Sequence, residues 1–194
     1  SLLAQEYKTS LPWSKVHIFF GDERSVPPDH PDSNYRMANE SLLSQVAIPG
    51  ENVHRILAEL DPEPAAQEYE NQLREFFHVA GDAWPRFDLI MLGLGEDGHT
   101  ASLFPGSSAL EESSRLVAPT WVEEKKTFRI TLTYPVLNHA AEVEFLVSGA
   151  GKAQILRDVL RPSTDSTYPA QRVQPENGRL LWLLDQDAAR LLQP

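Results

Sequence analysis

The chain has 194 residues, of which 41% are hydrophobic and 23% charged, and its formal net charge is −11. This composition predicts one soluble globular domain over residues 1–194 with a substantial core. The negative charge argues against a nucleic-acid partner, which needs a basic face, and no apolar run approaches the ~20 residues of a membrane span. The absence of cysteine excludes disulfides and thiolate zinc sites, and suits a cytoplasmic location.

The first third of the chain begins with a predicted strand that ends in charged residues. Residues 15–20, KVHIFF, are rich in β-branched and aromatic side chains and continue directly into Gly21, Asp22, Glu23 and Arg24. Charged residues at the carboxyl end of a buried strand lie at the edge where α/β sheets bind ligands. Further elements predicted before residue 80 are the tail of a helix at 1–10, a helix at 34–45 with Ser33 as its N-cap, a strand at 53–56 and a helix at 64–79.

The central feature of the sequence is the stretch FDLIMLGLGEDGHTASLFP, residues 87–105. Its apolar beginning predicts a buried parallel strand at 87–92, followed by a glycine-rich turn and a short helix that ends at Pro105. The turn matches G-x-G-x-x-G, but a dinucleotide site also needs a long helix and an acidic strand end, and both are missing here. The turn instead offers a carboxylate and an imidazole, Asp97 and His99, as a catalytic pair.

The last third of the chain also alternates between strands and helices. Lys152 follows a strand and a glycine pair and begins a helix, which is an arrangement that suits an anion. Arg129 lies at the start of a strand whose apolar and polar residues alternate. The predicted elements are strands at 116–122 and 127–133 joined by a charged turn, a helix at 135–141, a strand at 143–147, a loop at 161–179, a strand at 180–184 and a helix at 186–192.

This alternation predicts an α/β fold with an open, mostly parallel sheet, helices on both faces and right-handed crossovers. In such a sheet the carboxyl ends of the strands meet at one edge. The residues that we expect at this edge are Asp22, Arg24, Asp97, His99, Arg129 and Lys152.

The run GLGEDGHTASLFP resembles the signature of the 6-phosphogluconolactonases, in the wider group that includes the glucosamine-6-phosphate deaminases. The segments FFGDERSVPPDHPDSNYRMANESLL (19–43), RITLT (129–133) and SGAGKAQIL (148–156) agree with this family in the same order. The resemblance implies a NagB-like fold and hydrolysis of 6-phospho-D-glucono-1,5-lactone in the pentose phosphate pathway. The family also has an earlier strand and a Gly-Gly-Ser-Thr-type phosphate loop, which this chain lacks. We therefore expect a missing N-terminal part, an exposed apolar flank at 15–20 or 87–92, and poor solubility or low activity of residues 1–194 alone.

Lactone hydrolysis requires a base that activates water, and histidine suits this role because its ordinary pKa of about 6.5 lies near working pH. His99 is the candidate base, and Asp97 could orient its ring or could cap the short helix instead. The resemblance implies that Arg24 and Arg129 bind the substrate phosphate. Lys152, Asp22 and Gly95 complete the expected substrate-binding set. No metal or cofactor is expected, since neither thiols nor a second histidine accompany His99.

Two alternatives remain beside the lactonase prediction. Deaminases of the wider group continue the DGH turn with a Phe-Asn-Glu-Pro run, whereas this chain has Ser102-Leu103-Phe104-Pro105. A non-catalytic sugar-phosphate sensor would keep the cationic residues but would not need His99. The expected partner is a small phosphorylated sugar lactone, without nucleic acid or membrane, and the sequence leaves the oligomeric state open.

Overall fold

The computed structural model describes residues 2–161 and 168–192. Residues 162–167 of the predicted loop lie outside this range, and Pro169–Arg172 form a 3-10 helix. The strands are β1 (Ile18–Phe19), β2 (Asp22–Arg24), β3 (Val53–His54), β4 (Ile90–Leu92), β5 (Val117–Val122), β6 (Thr127–Leu132), β7 (Glu142–Val147) and β8 (Arg179–Leu184). The α-helices are α1 (Leu2–Gln5), α2 (Asn34–Ser41), α3 (Pro62–Phe76), α4 (Tyr134–His139), α5 (Ala153–Leu160) and α6 (Gln186–Ala189).

The strands pair in three groups, of which two are parallel. β4 and β8 flank β7 in one parallel sheet, and β1 pairs with β3 in another. The third group is antiparallel, in the order β2-β6-β5. The α/β prediction with mostly parallel strands is confirmed, and the antiparallel group is an addition to it. The charged turn between β5 and β6 is too short for a parallel crossover, so these two strands pair antiparallel.

Helix α3 fixes the end of β1 through a buried tyrosine. The Tyr69 hydroxyl donates to the Phe20 carbonyl at 3.0 Å and accepts from the Phe20 N–H at 2.9 Å. Burial raises the pKa of this hydroxyl well above its ordinary value. Tyr69 and Leu73 are buried, so this face of the helix packs in the core.

The predicted helix starts agree better with the structure than the predicted helix lengths. The Ser33 side chain accepts from the Arg36 N–H at 3.2 Å, which confirms it as the N-cap of α2.

The prediction of a short helix before Pro105 is wrong. Thr100 donates its hydroxyl to the Gly93 carbonyl at 2.9 Å, and Ala101 has a φ of +48°, so the chain turns back instead of starting a helix.

One face of the β4-β7-β8 sheet exposes large apolar side chains to solvent. Met91 on β4 is 61% exposed, and Leu146 and Leu183, which are register partners on β7 and β8, are each 49% exposed. The opposite face of β7 is buried, because Val143, Phe145 and Val147 point into the core. This alternation is the pattern of a strand with one buried face.

Candidate active site

The predicted site residues other than Asp97 meet around one cavity of about 400 Å³, which lies beside the carboxyl ends of β4 and β7 and is also lined from β2 and β6. Its lining includes Asp22 and Arg24 from β2, Gly95 and His99 from the turn after β4, Arg129 from β6, Lys152 before α5, and Asn34 at the start of α2. Asp97 does not line this cavity and instead contacts the His99 ring. The structure thus brings together residues that are up to 130 positions apart, Asp22 to Lys152.

The turn after β4 is closed by its own backbone hydrogen bonds. The Gly95 N–H donates to the His99 carbonyl at 2.8 Å, and the Gly98 N–H donates to the Gly95 carbonyl at 3.1 Å. These N–H groups are occupied, so the turn does not act as a phosphate cradle through them. It acts as a rigid support that presents the His99 side chain to the cavity.

Two neighbours fix the orientation of the His99 ring. Its Nδ1 lies 2.5 Å from Asp97 Oδ1, and its ring stacks on Phe104 with centroids 4.1 Å apart. Partial burial acts to raise the pKa of the Asp97 carboxyl, but hydrogen bonds from His99 outweigh it and lower that pKa below its ordinary value. An ionised carboxylate only accepts hydrogen bonds, so Nδ1 is the donor of this pair, and in the neutral form of the ring Nε2 then carries the lone pair.

Gly95 provides the space in which this ring lies. A Cβ atom at position 95 would be 2.1 Å from His99 Nδ1 and 2.7 Å from Asp97 Oδ1, which is closer than any real contact. Sequence reasoning placed Gly95 among the substrate-binding residues. Its position indicates a second reason for a glycine there, because any side chain would displace the His99–Asp97 pair.

Arg24 and Arg129 form a cationic pair at the cavity. They are register partners across β2 and β6, and the Nε atom of each is buried without a hydrogen-bond partner in the described part of the chain. Burial, and then the charge of Arg24, lower the pKa of Arg129, although an arginine remains charged at neutral pH. Two partly buried guanidinium groups on paired strands are stabilised by an anion such as phosphate.

Asp22 is held by two residues that sequence reasoning missed. The Ser102 hydroxyl donates to Asp22 Oδ2 at 2.6 Å, and the Asn34 side-chain amide donates to Asp22 Oδ1 at 3.2 Å. The first contact spans 80 positions of the chain and the second spans 12. Neither spacing corresponds to a sequence pattern that predicts a contact with Asp22. Asn34 could be predicted only because it directly follows the N-cap Ser33.

We expect Gly98→Ala to lower the free energy of unfolding by about 2–4 kcal/mol, from a left-handed backbone and a steric overlap. Gly98 has a φ of +78°, and a Cβ there would lie 2.6 Å from the Tyr168 ring. Gly106 is the matched control, since it has a φ of +75° but open space around its Cβ position. Urea unfolding of both variants measures the difference, and an equal loss at the two positions would contradict the packing role of Tyr168.

Two features are absent from residues 2–161 and 168–192, the part of the chain that the structure describes. Over these residues no group of three or more histidine, aspartate or glutamate side chains is arranged to hold a metal ion. Over the same ranges no helix is both long and apolar enough to cross a membrane.

Comparison with known proteins gives the same family at the levels of sequence and structure. Residues 1–182 match the family model described as glucosamine-6-phosphate isomerases/6-phosphogluconolactonase. The chain is 50% identical to the 6-phosphogluconolactonase of Synechocystis over 189 residues, covering 96% of this chain and 78% of that protein. It is 47% identical to the human 6-phosphogluconolactonase over 174 residues, covering 89% of this chain and 67% of the human one.

A solved structure extends this agreement to the fold. The 6-phosphogluconolactonase from Trypanosoma cruzi superposes with a TM-score of 0.82 at 31% identity, covering 100% of this chain and 76% of the other. The cavity at the strand ends and these matches lead to one assignment. The chain belongs to the glucosamine-6-phosphate isomerase/6-phosphogluconolactonase family.

Proposed function

We propose that this chain hydrolyses 6-phospho-D-glucono-1,5-lactone to 6-phosphogluconate, a step of the oxidative pentose phosphate pathway, with water activated by His99. The observation that carries the proposal is that His99 and the arginine pair Arg24 and Arg129 line the same cavity. The names of the relatives, which are lactonases at 47–50% identity, support the same reaction. A cytoplasmic location is part of the proposal, because a chain without cysteine suits a reducing compartment.

The proposed reaction starts from the hydrogen bond between His99 and Asp97. With Nδ1 donating to Asp97, His99 Nε2 takes a proton from a water molecule as the water oxygen bonds to the lactone carbonyl carbon. The resulting tetrahedral intermediate breaks its bond to the ring oxygen, and His99 returns the proton to that oxygen. The product is an open-chain carboxylic acid, which loses its proton to solvent.

The phosphate takes no part in these bond changes and serves to position the lactone. Arg24 and Arg129 offer charge-assisted hydrogen bonds to its oxygens, and Lys152 adds a third cation at the cavity. Fixing the phosphate places the carbonyl carbon at a constant distance from His99. This use of binding energy lowers the barrier of the chemical step rather than only the dissociation constant.

One experiment separates this proposal from the deaminase and the sensor. Purified protein is given 6-phosphogluconolactone and, separately, glucosamine 6-phosphate, and both 6-phosphogluconate and ammonia are measured, with spontaneous lactone hydrolysis subtracted. We expect turnover of the lactone and no ammonia. Ammonia release would favour the deaminase, and binding of either compound without turnover would favour the sensor.

A further inference from the structure

Glu23 is a buried carboxylate that the proposed reaction does not use. It lies on β2 between the two cavity residues Asp22 and Arg24, and it is 2% exposed. Because side chains alternate along a strand, Glu23 points away from the cavity that its neighbours line. A buried carboxylate is costly unless donors surround it, so its partners indicate what it stabilises.

Each oxygen of Glu23 accepts two hydrogen bonds. Oε1 accepts from the Arg24 N–H at 2.8 Å and from the Asn34 N–H at 2.7 Å. Oε2 accepts from the Tyr35 N–H at 2.8 Å and from the Ser33 hydroxyl at 3.1 Å. One carboxylate oxygen therefore joins the backbones of Arg24 and Asn34, two residues that line the cavity from different elements.

The same contacts occupy the beginning of α2. The first two N–H groups of this helix donate to Glu23, and the Arg36 N–H donates to the Ser33 hydroxyl. The helix N-terminus is therefore satisfied within the protein and does not need a substrate anion. Phosphate binding at this side of the cavity then depends on the side chain of Arg24.

The loop between β2 and α2 connects Glu23 to the guanidinium of Arg24. Arg24 Nη1 donates to the Asp32 carbonyl at 2.5 Å, and Asp32 directly precedes Ser33. Glu23 is thus linked to Arg24 in two ways. It accepts from the Arg24 backbone N–H, and it binds Ser33, the neighbour of the Asp32 carbonyl that accepts from the Arg24 guanidinium. Loss of the carboxylate would release both attachments together.

We propose that Glu23 is a positioning residue for substrate binding: it closes the 25–32 loop onto α2 and so fixes Arg24 and Asn34 at the cavity. The inference rests on the proposed function, because it assigns Arg24 to the phosphate of the lactone. It predicts that Glu23 affects how the phosphate is bound rather than the activation of water by His99.

The test is Glu23→Gln. In glutamine an amide nitrogen replaces one carboxylate oxygen, and this nitrogen cannot accept the hydrogen bonds that the oxygen accepted. We expect the KM for 6-phosphogluconolactone and the Kd for 6-phosphogluconate to rise roughly tenfold or more, and kcat to fall by a smaller factor because a loosely held phosphate also positions the lactone less well. The activity on unphosphorylated gluconolactone is expected to fall by a much smaller factor. Kinetics and calorimetric binding are measured at a temperature where circular dichroism shows the variant to be folded.

Glu70→Gln is the matched control. Glu70 is also a buried carboxylate that accepts backbone N–H groups, from Leu116 at 2.9 Å and Val117 at 3.3 Å, but it does not line the cavity. This variant is expected to lower Tm while keeping the wild-type KM. If Glu23→Gln lowers Tm and leaves KM and Kd unchanged, as Glu70→Gln does, Glu23 serves only the fold and the proposal is wrong.

A milder variant covers the case in which Glu23→Gln does not fold. Ser33→Ala removes a single hydrogen bond to Glu23 and the cap on Arg36, and it is expected to raise KM in the same direction by a smaller factor. An unchanged KM in folded Ser33→Ala, together with unfolded Glu23→Gln, would overturn the positioning role. Wild-type turnover of the lactone is measured in parallel; its absence would contradict the proposed function, whereas its presence with an unchanged KM in the variants contradicts only this inference.

Discussion

His99→Asn is expected to lower kcat for 6-phosphogluconolactone by about 10²–10⁴-fold, because asparagine cannot take a proton from water. The fold should be kept, since the ring is partly exposed and rests on Phe104 rather than in the core. The measurement is initial-rate release of 6-phosphogluconate, with spontaneous hydrolysis subtracted at each substrate concentration.

The control for this variant is His78→Asn. His78 is exposed, does not line the cavity and has a φ of +52°, a conformation in which asparagine is well tolerated. It should keep wild-type kinetics. A His99→Asn enzyme that retains activity within about threefold of wild type would remove His99 from the role of general base.

The second large effect is expected from the arginine pair. Arg24→Ala and Arg129→Ala should each lower kcat/KM for the phosphorylated lactone by about 10- to 100-fold, because each removes charge-assisted hydrogen bonds to the phosphate. On unphosphorylated gluconolactone the loss should be much smaller. The ratio of kcat/KM for the phosphorylated lactone to kcat/KM for the unphosphorylated lactone should therefore fall.

Arg179→Ala controls for the removal of one positive charge. Arg179 is 74% exposed in its side chain, pairs with Glu142 and is absent from the cavity lining. Its ratio of kcat/KM values should equal that of the wild type. Equal losses on both lactones in Arg24→Ala and Arg129→Ala would assign these residues to the fold or to the reaction centre instead of the phosphate.

Local sequence signals predicted much of the fold. Ser33 is the N-cap because its hydroxyl satisfies a free helix N–H, and this requirement is visible from neighbouring residues alone. The charged turn at 123–126 separates two β-branched runs by four residues, which predicts adjacent strands. The meeting of His99 and Lys152 follows from the rule that ligands bind at the carboxyl ends of parallel strands, since these residues come after β4 and β7. The rule does not explain Arg24 and Arg129, which lie within the antiparallel strands β2 and β6.

These local signals do not predict contacts between residues that are far apart in the sequence. Ser102 holds Asp22 from 80 positions away, and the Glu23 carboxylate joins Arg24 to Asn34 across a proline-rich loop. Such contacts depend on the register of the antiparallel β2-β6 pair, and the hydrophobic periodicity of the sequence does not predict this register. The prediction of a short helix before Pro105 was wrong for a similar reason, because the Thr100 hydroxyl donates a hydrogen bond back to the Gly93 carbonyl across the turn.

The most direct measurement is a crystal structure of this protein with its product, 6-phosphogluconate, bound. We expect the phosphate oxygens to lie within hydrogen-bond distance of the Arg24 and Arg129 guanidinium groups, and the product carboxylate to face His99 Nε2. A phosphate bound away from both arginines, or a carboxylate turned away from His99, would contradict this expectation.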